Sequence, residues 1–170
     1  MVKSLDFFEQ IWICDTEFTA RPGEVLEPIL LVAREQRTGR EIRVVGDELL
    51  AGVPDEFREP RFLFVCYSAL AEIGFMVSLG WPTPLYTLDL FAEFVLATNF
   101  GIARKTGLLD ALEFYGLPVP MDSDHKRAMR ELCIRGGPYT NDELLAISDY
   151  CAKDVTATET LFRHMTGFRP

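Results

Sequence analysis

At 170 residues, 48% hydrophobic and 25% charged, the chain has the size and composition of one domain, 1–170, with a core of its own. Twenty-six acids against 17 basic residues leave a net charge of −9, which argues against a protein that holds polyphosphate by bulk charge. That balance still allows a nucleic-acid enzyme whose metals and local basic groups meet the backbone. No apolar run approaches the ~20 residues of a membrane span, and the N-terminus lacks a charged-then-apolar signal pattern. The expected setting is the cytoplasm, with no membrane partner. Cys14, Cys66, Cys133 and Cys151 show no paired metal-ligand spacing and read as buried free thiols.

The first element is the strand Ile11-Trp12-Ile13-Cys14-Asp15-Thr16-Glu17-Phe18-Thr19, rich in β-branched and aromatic residues. Side chains alternate along a strand, so Asp15 and Glu17 share a face, roughly 6–7 Å apart. Two like charges on one face of a buried strand ask for a cation between them. Arg21-Pro22-Gly23-Glu24 is a turn, and strands over 28–33 and 41–45 follow, joined through Thr38-Gly39. Short turns between three strands predict an antiparallel meander. Residues 47–60 read as loop or short helix. A fourth strand spans 61–66, a helix 68–79, a fifth strand 86–90 and a helix 91–99. Helices over 108–115 and 123–134 are each stopped by Gly and Pro. The last helix opens on a Thr140 to Glu143 capping box and runs to about 165. The fold class is therefore mixed α/β, with a five-stranded sheet and flanking helices. The chain reads equally as a whole protein or as one domain of a longer one.

Two later acids also stand on faces meant for the core. At about 100° per residue, Ile147, Tyr150, Cys151, Thr158, Leu161 and Met165 fall within about 60° of Asp154. A lone carboxylate there must be paired, protonated or metal-bound, and a salt bridge to a buried Arg or Lys would explain it taken alone. Glu72 sits in Ala69-Leu70-Ala71-Glu72-Ile73-Gly74-Phe75-Met76, apolar nearly all round. Asp89, at the end of the fifth strand, reads as structural, a cap for the next helix.

Asp15-Thr16-Glu17 early, an acid on the helix after strand four, and Tyr150-Cys151-Ala152-Lys153-Asp154 late resemble the DEDDy exonucleases. These are RNase H-like 3′→5′ exonucleases with four metal-linked acids and a tyrosine. Leu79-Gly80-Trp81-Pro82, Leu88-Asp89-Leu90, Lys126 through Met129-Arg130, and Pro138-Tyr139-Thr140 more closely resemble the proofreading exonuclease module of bacterial and phage-type family A DNA polymerases. Two positions depart from that pattern: Glu72 stands where Asp is usual, and Ser68 where Asn is common.

The resemblance implies an RNase H-like fold whose sheet is an antiparallel meander continued by parallel strands. It implies DNA as substrate, entered at a single-stranded or frayed 3′ end, with release of nucleoside monophosphates. It also implies two divalent ions, Mg²⁺ or Mn²⁺, and a DNA polymerase in cis or in trans as candidate partner. Asp15 would bridge the ions, Glu17 and Asp154 would complete the first, and Glu72 would hold the second through water. Tyr150 would orient the attacking water. Phe18, Thr19, Ser68, Lys126 and Arg130 are the candidate nucleic-acid contacts, with Arg127 and the Arg104-Lys105 pair as further basic groups. The competing readings are an RNase H-like endonuclease, integrase or RNA-trimming nuclease on the same acids, or an inactive interaction domain. Retention of acids at all four positions weighs against the last.

Overall fold

A computed structural model describes residues 4–19, 25–99, 105–120 and 123–169. The predicted turn at 21–24 and Arg104 lie outside them. The strands are β1 (Gln10–Thr19), β2 (Glu27–Glu35), β3 (Glu41–Val45), β4 (Phe62–Cys66) and β5 (Thr87–Asp89). The helices are α1 (Ala69–Ser78), α2 (Leu90–Ala97), α3 (Leu108–Phe114), α4 (Ser123–Arg135) and α5 (Asn141–Thr166). Among the described residues, no helix is long and apolar enough to cross a membrane.

The sheet order is β3-β2-β1-β4-β5, with β1 central. Pairing is antiparallel across β3-β2-β1 and parallel across β1-β4-β5. The predicted meander and strand-helix-strand crossover are both present. After Gln10, β1 runs through four consecutive apolar residues, Ile11 to Cys14, because both sheet faces are covered. Ile11 and Ile13 pack with α5 residues Val155, Leu161 and Phe162, whereas Trp12 and Cys14 pack with Phe64 and with Phe75, Met76 and Trp81 of the α1 side. Full burial of each large apolar side chain contributes about 1.5–3 kcal/mol.

Residues 46–58 contain two short 3₁₀ helices, Gly46–Ala51 and Asp55–Arg58, which bury Leu49 and Phe57 in the α1-side core. Their apolar anchors are too few and too widely spaced to give a helical period.

Three devices aim these elements at one end of the sheet. Between Glu17 and Phe18 the β1-β2 register slips, Glu17 facing Leu30 and Phe18 facing Pro28. Such a bulge re-aims side chains at the strand end. The predicted Thr140–Glu143 capping box starts α5, and Arg34 of β2 bonds Glu159 at 3.0 Å, tying that helix to the sheet. Asp89 accepts the N–H groups of Ser68 and Ala69 as well as those of Phe91 and Ala92. One carboxylate thus serves the N-termini of both α1 and α2. Ser68, at φ 94°, takes the left-handed conformation needed to turn the chain from β4 into α1.

Candidate active site

Period-2 alternation carries the Ile11, Ile13 row onward to Asp15 and Glu17, so both carboxylates face α5. There they meet Cys151, and one ligand atom from each of the three residues lies within 4.8 Å of the others. The Cys151 thiol donates to Asp15 Oδ2 at 3.1 Å, and the Cys133 thiol of α4 to Glu17 Oε2 at 3.4 Å. All four cysteines are free and buried, as the sequence suggested. What the sequence reading missed is that two of them line the acids; the signal available was Cys151 on the same helical face as Asp154.

Asp154 is buried on α5, where Lys126 of α4 reaches both its oxygens at 3.1 and 3.3 Å. The salt bridge that would account for this acid alone is therefore present, and its cation is a residue expected to contact nucleic acid. Tyr150 lies one turn earlier, 5% exposed, with the Lys126 ammonium 5.9 Å from its ring centre. Glu72 enters from α1, 3% exposed, with no hydrogen-bond partner for Oε2.

Burial and mutual repulsion set the electrostatics. Burial first, then the charge on Asp154, pushes the Asp15 carboxyl from 3.8 up to about 8, against the Cys151 thiol and Lys126. Burial and the charge on Asp15 raise Glu17 and Glu72 as well. Burial and the same acids hold the Tyr150 phenol far above its usual value, so it is a hydrogen-bond donor and not a base.

These groups open on a pocket of about 880 Å³. Asp15, Glu17, Glu72 and Tyr150 line it, together with Phe18, Lys105, Lys126 and Arg130. Thr19 does not. It is 4% exposed, and its hydroxyl donates to the Cys133 carbonyl at 2.9 Å, so it ties β1 to α4 and has no surface to offer a base. Ser68 is likewise absent from the lining, its role being the turn into α1.

The donor set suits a hard divalent ion: carboxylate oxygens converge, they repel one another, and Glu72 keeps an unspent buried oxygen. On β1 the two acids lie just past Ile13, the last residue paired with β4. Sheet order and helical layers are those of an RNase H-like α/β fold.

Protein-family models and curated proteins give no match to the sequence. Among solved structures, the chain is similar to Escherichia coli RNase D, an exoribonuclease involved in structured RNA processing, with TM-score 0.56 and 15% identity. That match covers 92% of this chain and 40% of RNase D, so the chain spans less than half of that protein. The Aedes aegypti Nibbler EXO domain matches with TM-score 0.50 and 12% identity, over 94% of this chain and 83% of that one. The EXD2 exonuclease domain, soaked in Mn, gives TM-score 0.40 and 18% identity over 92% and 76% of the two chains. At these identities the likeness to the first two is one of fold.

Proposed function

We propose that the chain is a metal-dependent 3′→5′ exonuclease that releases nucleoside monophosphates from a nucleic-acid end, acting as a single domain. The observation that carries this reading is the convergence of Asp15, Glu17 and Glu72 on one pocket, buried and charge-frustrated, with Asp154 behind them on α5. Asp15, Glu17 and Asp154 would hold one Mg²⁺ or Mn²⁺, and Asp15 with Glu72 a second. When bound, such ions neutralise phosphodiester charge and supply an acidified water.

The remaining roles belong to the chain itself. Tyr150, in the pocket lining and held protonated by burial, orients water with its hydroxyl. Phe18 gives a terminal base an aromatic wall, and Arg130 and Lys105, in the same lining, meet phosphates. Glu72 is one methylene longer than Asp, and its start on α1, fixed by Asp89, lets its carboxyl reach the pocket.

Resemblance to polymerase proofreading modules supports DNA as substrate and a polymerase as partner. The fold likeness to an exoribonuclease supports a second reading, RNA as substrate. End-labelled single strands of matched DNA and RNA test both. Label at the 3′ terminus should appear as mononucleotide while 5′ label stays on a ladder of shortening strands. The faster of the two polymers identifies the substrate. Internal fragments formed with both ends intact would instead assign an endonuclease.

A further inference from the structure

Lys126 stands apart from the other cations of the pocket. Arg130, Lys105 and Arg127 also line it, Arg127 pairing with Asp124 three residues earlier, but Lys126 bonds an acid of the site itself. Its ammonium spans both Asp154 oxygens, 5.9 Å from the centre of the Tyr150 ring. The two partners differ in freedom. The Asp154 side chain is 8% exposed on a 26-residue helix, while that of Lys126 is 36% exposed in the first turn of α4. A lysine is a point charge on a flexible stem, free to swing where a buried aspartate is not.

We infer that Lys126 is a positioning residue that exchanges between Asp154 and a substrate phosphate, so that metal binding and nucleic-acid binding reinforce each other. This rests on the exonuclease reading above. Its ammonium competes with a divalent cation for the same two oxygens. Displaced, it would stay within the pocket that it lines with Arg130, Asp15 and Glu17, where a phosphate can meet it. A phosphate that takes the ammonium frees Asp154, and a cation on Asp154 frees the ammonium. Linkage then requires each ligand to raise the affinity for the other by the same factor.

The test is Mn²⁺ binding, read from the electron-spin signal of free Mn²⁺, without nucleic acid and then with a single strand whose last linkage is a phosphorothioate. The wild-type chain should bind Mn²⁺ more tightly when the strand is present. Lys126→Met keeps the stem and removes the charge. It should bind Mn²⁺ roughly three- to tenfold more tightly on its own, the scale of a lost partly exposed ion pair. It should also lose most of the tightening caused by the strand. Lys126→Arg should restore both the weaker binding and the coupling. A purely structural ion pair predicts the opposite for Lys126→Met, weaker Mn²⁺ binding as Asp154 loses its support. Equal Mn²⁺ affinity in wild type and Lys126→Met, or undiminished coupling in the variant, would overturn the exchange while leaving the exonuclease reading in place. Absence of any Mn²⁺ binding sensitive to Asp15→Asn would overturn both.

Discussion

Asp15→Asn is expected to stop nucleic-acid hydrolysis and to make the metal-free protein harder to melt. Asp15 is the acid that both other elements of the site address, α5 through Cys151 and α1 through its charge on Glu72. Loss of its charge should cost roughly 10³-fold in rate, the scale on which single charge-stabilising groups act. Its stability effect has the reverse sign. A carboxyl pushed up to about 8 is one whose ionised form the folded protein disfavours. The amide keeps an oxygen to accept the Cys151 thiol and carries no charge, so the melting temperature at pH 8 in chelator should rise by roughly 3–8 °C. Activity and melting of purified Asp15→Asn beside wild type check both halves. A variant that is inactive because it is destabilised would remove Asp15 from the site.

The second large effect is on pH and metal together. In chelator, stability should fall as pH rises from about 4 to about 8. Asp15 ionises at 3.8 when exposed and at about 8 when folded, and Glu17 and Glu72 shift in the same direction. Between those values the folded chain binds protons that the unfolded chain has released, so stability is full below the lower value and is lost progressively up to the higher one. Millimolar Mg²⁺ or Mn²⁺ replaces those protons. The melting temperature should then stop falling with pH, and the gain from metal should grow from pH 5 to pH 8. Melting curves across that range, with EDTA and with Mn²⁺, check it; parallel pH profiles in the two conditions would contradict it.

How much of this was legible in the sequence varies by the range of the interaction involved. β1, β4 and α5 declare themselves because period and composition are local: Ile11 to Thr19 reads as a buried strand and 61–66 as a fourth strand, and Ile11–Cys14 and Phe62–Cys66 are indeed buried. The positions of Asp15, Glu17 and Glu72 at one pocket follow from strand alternation and from one apolar helix. Asp89 was read as the cap of α2, and the structure adds its hold on α1, a contact across 20 residues that no local pattern records. Thr19 has a partner that was out of reach for the same reason. Its neighbours suggested a base contact, but the Cys133 carbonyl, 114 positions away, takes its hydroxyl. Lys126 was legible as a basic residue near the site and not as the partner of Asp154, because that pairing depends on how α4 packs on α5. The two thiols beside the acids belong to this class as well: their burial is a local property, and their neighbours are not.

The central claim is that these carboxylates form a divalent-metal centre that cuts nucleic acid from its 3′ end. Mononucleotide release from a 3′-labelled single strand, measured with Mn²⁺ and with excess EDTA on the same wild-type preparation, tests it most directly. Steady release in Mn²⁺ that falls to background in EDTA and returns when Mn²⁺ is restored is the predicted result; undiminished release in EDTA would contradict it.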